Sequence, residues 1–383
     1  MKFPAYELVE TPEAWQGCVK ILCREPRIAV DLEANSLFAY QESICLLQVS
    51  TADRDFIIDP LAGFPLSGMG EILADPAIEK VFHASSYDLL LLKRHYDWEV
   101  NNLFDTMWAA RVLGHTSMGL AGLLKEFYGV TLSKKYQKAN WAARPIADAL
   151  LDYARMDTHY LLRLRDDLAA RLDAAGRLQE ALEIFDHERR IVLENRNDGV
   201  EGFWSVRGAR RIAPEARAIL RALYDLRDAE ARRRNLPPFK VLSDAHLLLL
   251  AERAPADIQE LRSLQGFSTK LADRYGPRIL AAIAKSKRQR TPDLPKANTR
   301  QPKEINNRYR LLQQWRKEAA QNRGVESDVV MPRDILWEIA RLNPQSPEEL
   351  AKVPGLGPCR RALYAEGLLR TLAQAPNTPG AKD

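Results

Sequence analysis

The sequence predicts a mixed α/β domain followed by two small all-α helical-bundle modules. Three observations carry that expectation. The β-rich runs are confined to the first 84 residues, with one helix among them. From about residue 86, apolar residues recur three and four apart, and the second half of the chain repeats itself. Strands first and helices after indicate a mixed sheet, not a barrel of alternating units or a dinucleotide fold. Neither GxGxxG nor GxxxxGK[ST] occurs, so no nucleotide-phosphate loop is expected.

Residues 27–34, 43–50, 54–59 and 79–84 read as strands, in IAVDLE, SICLLQVS, RDFIID and EKVFHA. Asp59-Pro60 and the Gly/Pro-bearing LAGFPLSGMG mark a turn before a helix at 69–74. Beyond it, YDLLLLKRHY, DTMWAARVLG, GLAGLLKEFYGV and a long PIADALLDYARMDTHYLLRLRDDLAARL carry helical periodicity.

The repeat has an offset of 89 positions and needs no gap. VLSDAHLLLLAERAPADIQEL (241–261) falls on VMPRDILWEIARLNPQSPEEL (330–350), with Arg227 on Arg316, Gly266 on Gly355 and Tyr275 on Tyr364. Matched apolar positions and matched turn residues mean two copies of one helical module. Between them, 286–303 is basic, proline-bearing and poor in large apolar residues, so it reads as a linker. The expected organisation is 1–203 for the first domain (with a helical extension from about 170), 204–285 and 304–374 for the modules, and 375–383 as a disordered tail.

Composition bounds the function. The beginning, MKFPAYELVE, lacks a basic leader followed by an apolar stretch, so no signal peptide is expected. The apolar runs, such as LLLL at 247–250, are too short for a membrane span. Cys18, Cys23, Cys45 and Cys359 form no CxxC pair, so reduced thiols and a cytoplasmic location are expected. The net charge of +5 is unevenly distributed. Residues 1–200 hold 22 Lys+Arg against 30 Asp+Glu, which leaves 34 against 21 for the remainder. A basic second half suits a polyanionic partner.

The chemistry is concentrated in four acids. Asp31 and Glu33 interrupt the apolar run RIAVDLEANSLF, and two residues apart on a strand they share one face. Paired carboxylates repel and lose solvation unless a cation lies between them, and oxygen-only ligation suits Mg²⁺ or Mn²⁺. Tyr153 and Asp157 share a helix face, where Asp157 is placed to complete a cluster with Asp31, Glu33 and Asp88. Carboxylates clamping two divalent ions about 4 Å apart are used for phosphodiester hydrolysis. Asp105, in FDTMW, is explained as a helix N-cap.

VDLE at 30–33, FHASSYDL at 82–89 and YARMD at 153–157 resemble the three motifs of the DEDD exonucleases, the tyrosine marking the DEDDy branch. LLQVS (46–50), FDTMWAARVLG (104–114) and KYQKANWAARPI (135–146) are similar to ribonuclease D, and the modules to HRDC domains. The resemblance implies a ribonuclease H-like core and a 3′→5′ exoribonuclease that releases nucleoside 5′-monophosphates, with structured RNA such as tRNA precursors as substrate. It implies two divalent ions held by Asp31, Glu33, Asp88 and Asp157, a water positioned by Tyr153, and terminal-nucleotide contacts near Leu32 and His83. No obligatory protein partner is expected.

The modules add a basic surface. Arg207, Arg210, Arg211, Arg232, Arg233, Arg234 and Lys240 cluster around the first one, where they suit phosphates. Trp204, Phe239 and Trp315 suit either base stacking or core packing. The GLGP of VPGLGPCRR suits either a backbone phosphate contact or a plain helix-to-helix turn. Two other readings compete: a DNA-directed exonuclease of the same superfamily, and a non-catalytic RNA-binding scaffold.

Overall fold

Six strands build one mixed sheet in the order β1-β4-β3-β2-β5-β6: β1 Glu7–Val9, β2 Arg27–Ala34, β3 Ile44–Ser50, β4 Asp55–Ile58, β5 Glu79–Phe82 and β6 Leu103–Asp105. The computed structural model describes residues 5–190, 202–294 and 301–375. Strand β3 runs antiparallel to both β2 and β4, whereas β1–β4, β2–β5 and β5–β6 are parallel. The four expected strands are present. β1 and β6 add an edge on either side, each three residues long and too short to show a period.

The described residues fall into two compact units. One is drawn from 1–34, 44–192 and 301–383, the other from 35–43 and 193–300. In the first, Ile28, Val30, Leu47, Val49, Val81 and Phe104 form the main core with Leu161, Leu164, Leu168 and Leu172, which recur three and four apart on the helix Leu161–Ala174. The opposite face of the sheet is covered by a smaller cluster in which Leu46 and Ile57 meet Leu151, Ala154 and Trp141.

The long helix expected from 145 to 172 is divided into Asp148–Ala154, Met156–His159 and Leu161–Ala174. No Gly or Pro causes this. Arg155 and Tyr160 keep right-handed helical backbone, and the Thr158 hydroxyl bonds the Arg155 carbonyl (3.3 Å), a back-bond that bends helices. The central turn is set by its tertiary partners.

The repeat appears helix for helix. Pro214–Arg234, Pro238–Val241, Asp244–Arg253, Ile258–Ser263 and Thr269–Ser286 correspond to Lys303–Arg323, Ser327–Val330, Arg333–Leu342, Pro347–Leu350 and Pro358–Ala373. The matched arginines do the same work: Arg227 donates to the Leu242 carbonyl (3.3 Å) and Arg316 to that of Met331 (2.9 Å). Gly266 and Gly355 both take positive φ, 88° and 76°, where a side chain is strained. The proposed boundary near 203, part of the linker (295–300) and nearly all of the tail lie at or beyond the edge of the described residues.

The second module packs on the sheet domain inside one unit. Arg323 donates to both oxygens of Glu180 (2.7 Å each), and Glu180 is only 1% exposed. Arg111 pairs with Glu326 and Asp328, and His187 faces Asp334 at 3.4 Å. The GLGP turn is already occupied: the Glu183 carboxylate accepts from Cys359 N (2.9 Å) and sits where a side chain on Gly357 would be. An internal anion thus takes the place left open for a phosphate. Removing one partner of a buried ion pair strands the other. We therefore expect Arg323→Ala to lower the unfolding free energy of this unit by about 3–5 kcal/mol, measured by urea titration.

Candidate active site

Each acidic side chain is delivered by its own local device. Strand β2 turns Asp31 and Glu33 away from the core face that carries Ile28 and Val30. Asp157 comes from the turn Met156–His159, which is pinned to the sheet. Ser50 Oγ donates to Asp55 Oδ1 (2.7 Å) and lies 2.7 Å from Thr158 Oγ1, while His159 Nδ1 is 2.7 Å from the second Asp55 oxygen. Buried Asp88 occupies the first turn of the helix Ser86–Tyr96. The approach to that helix is strained, because Ala84 has φ 61°. Asp105 stabilises it by accepting from Ala84 N (3.1 Å) and Ser85 N (2.7 Å), and it also caps the following helix through Met107 N and Trp108 N. The N-cap expected for Asp105 is present, with a clasp on the Asp88 turn added to it.

Asp31, Glu33 and Asp157 each bring a carboxylate oxygen within 4.8 Å of the other two. An all-oxygen trio of this kind suits a hard divalent cation. Asp88 stands outside the trio but acts on it through its charge. A cleft of about 550 Å³ is lined by Asp31, Leu32, Glu33, His83, Tyr153 and Asp157, and also by Lys134 and Gln137. Tyr153, Asp157, Leu132 and Ser133 also line a second cavity of about 360 Å³, together with Tyr136 and Met156. Gln137 was visible in KYQKANWAARPI only as part of a resemblance, and Lys134 lies just before that segment; a loop has no period to point either one at a site.

Burial, reinforced by crowding of like charges, sets the electrostatics. Burial, then Asp88, Asp157 and Glu33, pushes the Asp31 carboxyl well above its ordinary range. Burial, then Asp157 and Asp88, raises Glu33 to about 9. Asp88 is raised well above its ordinary value by burial, Asp105 and Asp157, and Asp157 to about 7 by burial. Burial and the same carboxylates raise the Tyr153 phenol. His83 is lowered by burial, against the opposing charge of Asp105. Its Nδ1 lies 2.9 Å from Thr106 Oγ1, which itself donates to the Phe82 carbonyl (3.0 Å).

The remaining expected contacts belong to the second unit and have partners there. Arg232 meets Asp228 and Tyr40, Arg233 meets Glu230, Arg234 donates to Tyr275, and Lys240 lies over the Phe38 ring. Trp204 and Trp315 pack in the cores of their modules, while Phe239 is 54% exposed.

Comparison with known proteins assigns families to three stretches of the chain. Residues 6–173 match the model of the 3′-5′ exonuclease family, and 216–283 and 306–372 match that of the HRDC domain. The chain is 32% identical to a ribonuclease D of Granulibacter bethesdensis over 77% of this chain and 75% of that one. It is 35% identical to an exosome complex component 10 homolog of Caenorhabditis elegans, over 66% of this chain but only 29% of that protein's length. The solved structure of Escherichia coli RNase D, titled an exoribonuclease involved in structured RNA processing, superposes with a TM-score of 0.69 at 26% identity. That match covers 98% of this chain and all of the other.

The raised carboxyl values carry a sign. These acids hold protons more tightly folded than unfolded, so without a cation the fold is favoured at low pH and loses that advantage as pH rises through about 7 for Asp157 and about 9 for Glu33. We expect the melting temperature of the metal-free protein to fall by at least ~3 °C between pH 6 and pH 9. Added Mg²⁺ should restore more at pH 9 than at pH 6, where protons compete for the same oxygens. A Glu33→Gln/Asp157→Asn variant should lose most of both effects in the same melts.

Proposed function

Because the chain belongs to the ribonuclease D family of 3′→5′ exoribonucleases, we propose that Asp31, Glu33, Asp88, Tyr153 and Asp157 form the centre with which it trims RNA 3′ ends, those of tRNA precursors included. The observation that carries this reading is the convergence of Asp31, Glu33 and Asp157 within 4.8 Å beside Tyr153. Two divalent ions, Mg²⁺ or Mn²⁺, held by the four carboxylates would supply an ionised water and neutralise charge on the leaving 3′ oxygen.

The chain's own residues do the positioning. Burial, then Asp157, Glu33 and Asp31, raises the Tyr153 phenol, which suits it to hold the attacking water as a neutral hydroxyl. Leu32 gives the terminal nucleotide an apolar wall. Thr106 spends its proton on Phe82, so His83 donates to it from Nδ1. Nε2 is then left as an acceptor, fit for a ribose hydroxyl.

Further phosphate binding falls to arginines whose guanidinium groups are not already engaged. Arg207, Arg210 and Arg211 line a cavity of about 600 Å³ with Trp204, and their guanidinium groups have no acidic partner among the described residues; Arg207 meets Asp244 only through its main-chain N (3.1 Å). Arg232, Arg233, Arg234 and Lys240 are weaker candidates, because their charges are already engaged. The cytoplasm is the proposed place of action; among the described residues no helix is long and apolar enough to cross a membrane.

We expect Asp31→Asn or Asp157→Asn to reduce hydrolysis at least ~10³-fold while RNA binding in EDTA persists. Turnover near wild type in excess Mg²⁺ would refute the carboxylate assignment. Replacing Arg207, Arg210 and Arg211 together by Gln should flatten the slope of log affinity against log salt by about 2, measured by fluorescence anisotropy on single-stranded RNA.

A further inference from the structure

Gln48 is fully buried, and both polar atoms of its side chain lack a hydrogen-bond partner. An orphaned buried amide costs about 1–3 kcal/mol, and Leu or Met would fill the same space without it. The surroundings are apolar on most sides. Leu46 on the same face of β3, and Ile57 directly opposite on β4, belong to the cluster with Leu151 and Ala154. The neighbouring hydroxyls are already committed, Ser50 to Asp55 and Thr158.

One side of Gln48 is different. In the antiparallel β2–β3 register, Gln48 pairs directly with Asp31. Directly opposed residues project from the same face with Cβ atoms about 4.5–5.5 Å apart. The amide therefore stands next to the carboxylate that shares its site with Glu33 and Asp157. A Gln side chain reaches across one strand spacing and offers two N–H donors, and ligating carboxylates are characteristically held by such outer partners.

We propose that Gln48 is a positioning residue, whose amide holds the Asp31 carboxylate in the orientation that binds divalent cations. The inference rests on the carboxylate reading above. It assigns Gln48 no contact with RNA and no step in hydrolysis. It explains why a polar side chain is kept where packing alone favours an apolar one: local stability is given up for a fixed site.

The test is Gln48→Leu in the full chain, with Gln48→Met as a second near-isosteric variant should the first fail to fold. Two quantities are read: the melting temperature in EDTA, and Mn²⁺ affinity by titration of the free ion's paramagnetic resonance signal. We expect a melting temperature in EDTA equal to or above wild type, together with Mn²⁺ affinity lower by about 10–100-fold. Unchanged Mn²⁺ affinity overturns the proposal, whether or not the melting temperature falls. Asp31→Asn is measured in parallel. If it too binds Mn²⁺ like wild type, the carboxylate reading itself fails; if only the Gln48 variants do, the positioning role alone is lost.

Discussion

The constraint on which this structure turns is the mutual repulsion of carboxylates gathered in a partly buried cleft. Asp31, Glu33 and Asp157 bring oxygens within 4.8 Å of one another, with Asp88 close enough to raise its neighbours. Left alone, such a group holds its protons or spreads apart. Keeping it assembled requires a scaffold that fixes each backbone separately, and a cation that makes ionisation favourable. Much of the N-terminal domain supplies that scaffold.

Two polar devices do most of the fixing. Thr158, Ser50, Asp55 and His159 fasten the Asp157 turn to two strands, although the surrounding sequence favours an unbroken helix. Asp105 clasps the left-handed Ala84 turn and so sets the entry of the helix that carries Asp88. Both devices are buried and hydrogen-bonded, so loosening either one would cost more than an exposed contact does. The second module reinforces the same domain from outside, through the buried Glu180–Arg323 pair and the Glu183 carboxylate at its helix entry.

Much of this was legible in the residues, for identifiable reasons. The DxE pair stood out because period two placed both charges on one face of an apolar strand. The modules stood out because an ungapped 89-residue offset preserves helix length, and it does so nearly to the residue. What stayed hidden was tertiary. β1 and β6 are too short to show alternation, and the breaks at Arg155 and Tyr160 depend on a hydroxyl bonded to a distant strand. Whether an arginine is free for phosphate depends on what faces it. Arg232 and Arg233 look as available in sequence as Arg210 and Arg211, yet only the latter two lack an acidic partner among the described residues. The occupied GLGP turn is a further case, since nothing near it in sequence announces Glu183. Gln48 went unremarked because a polar residue in a strand normally faces water, and only the structure shows it sealed beside Asp31.

The central claim is that these carboxylates, loaded with divalent ions, remove nucleotides one at a time from an RNA 3′ end. Its most direct test is digestion of one oligoribonucleotide labelled at either end, with and without Mg²⁺. In Mg²⁺ the 3′-labelled strand should release its label at once as a mononucleotide, the 5′-labelled strand should shorten as a ladder, and EDTA should stop both. Internal fragments from either strand, early release of the 5′ label, or equal rates in EDTA would contradict the account.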